Sequence, residues 1–131
     1  MSNKANLLVT MQKYYKNHKE GKDPMGTILP ITINIETTFN MNDNEQFRNL
    51  TRTYSDQADQ IWICKPGENA NRGYGIEVLP NLAAVKKFLQ STGAGERWVV
   101  QKYIDRPLLV GGQHWLNTPM RKFDIRIFGL A

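Results

Sequence analysis

Between Ile61 and Leu79 the chain runs apolar, breaks, and turns apolar again, and this interruption restricts what it can fold into. Ile61-Trp62-Ile63-Cys64 ends on Lys65, and Pro66-Gly67 stops the run. A polar stretch carries Arg72 to Gly73 and Gly75, and Ile76-Glu77-Val78-Leu79 starts again. The pattern predicts two strands joined by a glycine-punctuated loop. A lysine at a strand end before such a loop suits a polyphosphate: the ammonium is a compact charge, and glycines let backbone N–H groups approach an anion. The spacing is neither a Walker loop nor a dinucleotide fingerprint. On these residues alone two readings stand, a phosphate grip or an ordinary hairpin with an exposed arginine.

The flanking chain alternates helices with short strands. Leu7, Leu8, Met11, Tyr14 and Tyr15 recur at helical spacing and predict an amphipathic helix over 3–18, capped at Ser2 or Asn3 and ended by Gly21 and Pro24. Ile31, Ile33 and Ile35 alternate on one face of a strand that starts near Pro30. Asp43, with Gln46 three residues on, reads as the start of a helix whose Phe47, Leu50 and Tyr54 face inward and whose Arg48 and Arg52 face water. Asn81 caps a further helix, with Leu82, Val85, Phe88 and Leu89 inward. Trp98 to Ile104 is a strand whose apolar start suggests burial on both faces. Leu108-Leu109-Val110 is a candidate short strand, and 111–119 a loop in which His114 reads as a loop residue. The stretch 121–130 is a last strand, with Phe123, Ile125 and Ile127 on one face and Lys122, Asp124 and Arg126 on the other. That charged face is either solvent-exposed or the wall of a charged cleft.

At 131 residues the chain suffices for one domain with a core. The single Cys64 allows no intramolecular disulfide, which favours a reducing compartment. No stretch has the length of a membrane span, and the first residues lack the apolar segment of a signal peptide. The net charge of +5 is uneven: residues 1–22 carry five lysines against one glutamate, and 97–131 six cations against two aspartates. The middle, 23–96, holds nine acidic and six basic side chains. Two basic ends suit an anionic ligand or an acidic partner surface. A nucleic-acid binder is compatible with the charge, but no Lys/Arg run reaches five and no aromatic stacking platform is visible.

Three blocks, in this order, resemble the tubulin tyrosine ligase-like family, a branch of the ATP-grasp ligases. They are Trp62-Ile-Cys-Lys-Pro to Asn71-Arg-Gly-Tyr-Gly-Ile76, Val99-Val-Gln-Lys-Tyr-Ile-Asp-Arg-Pro-Leu-Leu109, and Arg121-Lys-Phe-Asp-Ile-Arg126. The resemblance implies an α/β fold of the α+β kind: the central subdomain of an ATP-grasp fold plus the first strands of its C-terminal subdomain. Residues 1–24 are then a basic helix of the same module, and 25–131 a partial ligase domain. It also implies that Lys65 contacts nucleotide phosphates and that Arg72 and Gly73 belong to a loop closing over them. Gln101, Lys102, Tyr103 and Ile104 would hold the adenine between the two halves, by backbone hydrogen bonds and side-chain packing. Lys122 and Asp124 would reach the nucleotide from the opposing sheet, and Arg126 would act at the transferring phosphate or the amino-acid substrate.

The implied reaction is ATP-dependent ligation of a carboxylate to an amine through an acyl phosphate. It adds a free amino acid, glutamate or glycine rather than tyrosine by the family's make-up, to the acidic C-terminal tails of tubulin. ATP and Mg²⁺ are the implied cofactors, no membrane or nucleic-acid partner is expected, and the location would be the cytoplasm and cytoskeleton, cilium or basal body included. Two departures qualify this. The 111–119 stretch exceeds the family's usual turn, and the carboxylates that hold Mg²⁺ in the family have no counterpart before Ala131. The expectation is an incomplete ligase module with no metal site of its own and no transfer activity alone. The alternative is an inactive ATP- or tubulin-binding pseudo-enzyme.

Overall fold

The structure, a computed structural model, describes residues 4–17, 29–67, 73–112, 118–123 and 125. Helix α1 spans Lys4–Asn17, followed by strand β1, Thr32–Glu36, and helix α2, Glu45–Thr53. Strands β2, Trp62–Pro66, and β3, Glu77–Leu79, precede helix α3, Leu82–Ser91, and strand β4, Arg97–Lys102. Two short strands close the sequence of elements, β5 at Val110–Gly112 and β6 at Thr118–Arg121. Every strand pair is antiparallel, which places the molecule in the α+β class.

The main sheet has the order β1-β4-β2-β3. Because β4 is antiparallel to both its neighbours, β1 and β2 run parallel with β4 between them. By the same logic β3 and β4 run parallel with β2 between them. Two strand–helix–strand units therefore interleave, α2 bridging the first and α3 the second.

Strand alternation sorts the side chains onto two faces. Ile33 and Ile35 of β1, Trp98 and Val100 of β4, Trp62 and Cys64 of β2, and Leu79 of β3 share one face. That face packs on Phe47 and Leu50 of α2 and on Leu82, Val85 and Leu89 of α3 to form the core. The opposite face carries Thr32, Asn34, Val99, Gln101, Ile63, Lys65 and Val78. Helix α1 lies over its β1–β4 side, where Asn34 Nδ2 donates to the Ala5 carbonyl at 3.0 Å and Leu8 is buried. Covered from both sides, Trp98, Val99 and Val100 are all buried, as their apolar run predicts.

Three sequence expectations need correction. In α1 the inward residues are Leu8, Met11 and Tyr15, whereas Leu7 and Tyr14 are exposed. The cap of α2 is Asn44, not Asp43. Its Oδ1 accepts from Phe47 N at 2.9 Å, and its Nδ2 donates to the Glu36 carbonyl at 2.7 Å. Gln46 does not close a capping box either, since its Oε1 accepts from Glu36 N at 2.8 Å. Asn44→Ala is therefore expected to cost about 2 kcal/mol, the upper end for a lost cap, because a strand carbonyl loses its donor too. Urea unfolding checks it.

The third correction concerns the chain's end. Pairing begins upstream of the predicted strand, at Thr118, within the stretch expected to be loop, and Lys122 and Phe123 follow β6. Val110 pairs with Arg121 and Gly112 with Thr118, with a bulge between. A Cβ on Gly111 would stand 2.5 Å from the Pro119 carbonyl oxygen, so only glycine allows this approach. The caps of α1, the stretch 126–130 of the expected last strand and His114 lie outside the described residues.

Candidate functional site

The β2–β3 pair forms as the interrupted apolar pattern predicts, with Trp62 opposite Leu79, Ile63 opposite Val78 and Cys64 opposite Glu77. Gly73 and Gly75 sit in the returning turn with φ of 81° and 72°, backbone that glycine adopts without strain. Gly67 has a different use. Its N–H donates to the Arg97 carbonyl at 2.8 Å, and a Cβ there would lie 3.0 Å from that oxygen. This amide extends the sheet rather than facing a ligand.

Lys65, near the end of β2, projects half-buried from the face that α1 covers only in part. Its ammonium donates to Gln101 Oε1 at 2.7 Å. Gln101 Nε2 in turn donates to Thr32 Oγ1 at 2.7 Å, and the Thr32 hydroxyl donates to the Pro30 carbonyl at 2.6 Å. A line of polar groups thus crosses three strands and ends on a cation. Alternation along β1 had already put Thr32 opposite the isoleucine face, but nothing in the sequence tied it to Lys65.

The segment after β4 divides. Lys102 emerges on the core face, opposite Trp62, and its ammonium donates to Gln57 Oε1. Gln101 and Lys102 therefore serve opposite sides of the sheet. The Lys102 N–H donates to Ile31 O at 2.8 Å and the Tyr103 N–H to Ile61 O at 2.9 Å, so both amides are engaged by the residues that lead into β1 and β2. Ile104 is exposed. Lys122, beyond β6, reaches back to this segment: its ammonium lies 3.4 Å from the Tyr103 hydroxyl and 5.7 Å from the centre of the ring. The segments that follow β4 and β6 thus touch through Tyr103 and Lys122.

Of the residues singled out from the sequence, the structure joins Lys65 to Gln101 and Tyr103 to Lys122. Arg72, Asp124 and Arg126 lie outside the described residues. Among the described residues no group of three His, Cys, Asp or Glu side chains could hold a metal ion. A cleft of about 310 Å³ opens elsewhere, between α2 and α3, and is lined by Met41, Phe47, Leu82, Arg48 and Lys86. It contains none of the candidate residues.

Cys64, also in this strand, is not a reactive group. It is fully buried, and its thiol is pushed from 9.0 up to about 12, first by burial and second by the Glu77 carboxylate on the neighbouring strand. Below pH 9 the thiol is protonated whether the chain is folded or not. Between about pH 9 and 12 only the unfolded form ionises, so stability falls as pH rises through that window. Between pH 7 and 10 the native protein is expected to lose about 1 kcal/mol more than Cys64→Ala, measured by urea unfolding at both values.

The matches to known proteins agree with the three sequence blocks and extend past them. The model of the tubulin-tyrosine ligase family matches residues 1–131. A protein of Tetrahymena thermophila named a probable alpha-tubulin polyglutamylase is 32% identical over 98% of this chain and 32% of its own length. A probable tubulin polyglutamylase of Caenorhabditis elegans is 30% identical over 91% of the chain and 27% of its own length. A human tubulin monoglycylase is 41% identical over half of the chain and 8% of its own length. The chain thus spans at most about a third of the length of these relatives, and it is a member of the tubulin-tyrosine ligase family.

Proposed function

We propose that this chain forms the nucleotide-gripping part of an ATP-dependent carboxylate–amine ligase that adds glutamate or glycine to tubulin, and that its sheets are part of an ATP-grasp fold. The observation that carries the reading is the similarity to a tubulin polyglutamylase across 98% of the chain. The residues fit a polyphosphate in kind: Lys65 brings a cation to the face that carries Ile63 and Gln101, and Lys122 brings a second beside the Tyr103 hydroxyl. ATP supplies the phosphoryl group that activates the carboxylate. In a transfer of that type the protein neutralises phosphate charge, aligns the reactants and excludes water.

On this reading Lys65 neutralises phosphate charge from the main sheet, and Lys122 approaches from the second sheet. Ile63 and the exposed Val78 offer apolar surface beside Lys65 for a flat base or for a closing loop. Arg72, Asp124 and Arg126 keep the roles that the family resemblance implies. The described residues offer no carboxylate cluster for Mg²⁺, so no step is assigned through the metal. Tubulin, through its acidic tails, is the partner that suits a chain with a net charge of +5, and the cytoskeleton the corresponding location.

The test is titration of the 131-residue chain with the Mg²⁺ complex of a non-hydrolysable ATP analogue, followed by competition with ATP. Saturable, competable binding is the expected result. Tubulin binding without nucleotide binding at millimolar analogue would replace the proposal with a pure interaction module. Transfer is measured separately, as ATP-dependent incorporation of labelled glutamate or glycine into tubulin. Nucleotide binding with no such incorporation is expected of the incomplete module and of a pseudo-enzyme alike, whereas incorporation by this chain would overturn both.

A further inference from the structure

We infer that Thr32 and Gln101 are positioning residues for Lys65, a relay across three strands that fixes where the ammonium points before an anion arrives. The inference rests on the reading of Lys65 as a phosphate-binding cation and deepens it. It also gives Gln101 a use other than the adenine contact implied by the family resemblance.

The direction of each hydrogen bond follows from proton counting. Thr32 is buried, and its hydroxyl has a single proton, donated to the Pro30 carbonyl at 2.6 Å. Toward Gln101 the hydroxyl oxygen can therefore only accept. That requirement turns the NH₂ of Gln101 to Thr32, at 2.7 Å, and its carbonyl oxygen to Lys65, at 2.7 Å. The flipped amide would set its NH₂ against the ammonium, donor to donor, and its carbonyl oxygen against the spent hydroxyl, acceptor to acceptor. A threonine on β1 thus decides which end of the amide Lys65 meets on β2.

The choice of an amide matters as much as its orientation. A carboxylate at position 101 would also hold Lys65, but it would cancel the charge that an anion needs. The amide oxygen orients the ammonium and leaves its formal charge in place. Lysine's four-carbon stem carries about 2 kcal/mol of rotamer entropy, and fixing it in advance removes part of that cost from ligand binding. The backbone adds rigidity: Thr32 and Gln101 are direct partners in the β1–β4 ladder, and Lys65 stands two residues from Ile63, the partner of Gln101 on β2.

The experiment compares Thr32→Val, which keeps the shape and removes the hydroxyl, with Thr32→Ser, which keeps the hydroxyl. Two readouts are taken on the full chain: affinity for Mg²⁺·AMP-PNP, and the NMR order of the Lys65 side chain from ¹³Cε relaxation. Thr32→Val is expected to weaken AMP-PNP by about 3- to 10-fold, one neutral hydrogen bond's worth, and to lower Lys65 order. Thr32→Ser should restore both, and in a Lys65→Met background Thr32→Val should add less than about 2-fold because the pair is coupled. The relay is overturned if Thr32→Val leaves Lys65 order unchanged, or if its effect on affinity is undiminished without Lys65. Should Thr32→Val fail to fold, Gln101→Met at its half-buried position carries the same two readouts. If Lys65→Met alone leaves AMP-PNP affinity unchanged, the phosphate reading falls, and Lys65 order still decides the relay.

Discussion

Lys65→Met is expected to weaken binding of an ATP analogue by about 10- to 100-fold while lowering stability by only about 1 kcal/mol. The affinity figure follows from removing one charge-assisted contact to a phosphate, worth about 1.5–3 kcal/mol. The small stability figure follows from what Lys65 leaves behind. Gln101 Oε1 loses a donor at 2.7 Å, but Gln101 is only half-buried, so water can take the vacated position. Methionine preserves the apolar length of the stem beside Ile63. Titration of native and variant chains, with thermal unfolding run in parallel, checks both figures. Equal affinities would assign phosphate binding to other residues.

The largest effect on stability is expected at Trp62. Trp62→Ala should cost about 3–5 kcal/mol, a large share of the 5–15 kcal/mol typical of a domain. Trp62 is fully buried, on an inner strand between Lys102 and Leu79, against the helix layer. Its indole N–H donates to the Gln57 carbonyl at 3.3 Å, so truncation also unpairs the turn at Ser55–Gln57. Trp62→Phe removes the hydrogen bond but keeps most of the volume and should cost less than half as much. Urea unfolding of the three proteins separates packing from hydrogen bonding. If the phenylalanine variant is as unstable as the alanine one, the indole N–H dominates.

Much of this architecture was legible in the sequence because it depends on local chemistry. Alternation in β1 and the apolar run of β4 specify which side chains go inward. Asn81 caps α3 as its type and position indicate, its side chain accepting from Ala84 N at 2.8 Å. The errors arose where two local solutions compete and a distant contact chooses between them. Asp43 and Asn44 both suit a cap, but only an asparagine can accept from Phe47 N and donate to the Glu36 carbonyl at once. The glycines at 111 and 112 read as loop, yet they are what lets β5 approach β6 closely enough to pair.

For the candidate site, the residue types were legible and their connections were not. Lys65 stood out by its place at a strand end, and Gln101 to Ile104 and Lys122 by family resemblance. That Gln101 and Lys102 face opposite sides of one sheet follows from period-two geometry and could have been read from the strand alone. That Thr32 reaches Lys65 through Gln101 depends on strand order, which brings residues 69 positions apart into contact.

The same strand order governs when the sheet can assemble. β4 is the last of the four strands in the sequence, yet it lies second in the sheet and is the neighbour of both β1 and β2. Until the ribosome has released the chain through about Lys102, β1 has no partner, and β2 can pair only with β3. A nascent chain therefore carries Ile33, Ile35 and Trp62 on unpaired strand edges until β4 is made, and in that interval chaperone capture or mispairing competes with folding. Once β4 emerges, one strand closes two ladders together, and the sheet gains its long-range contacts in a single late step.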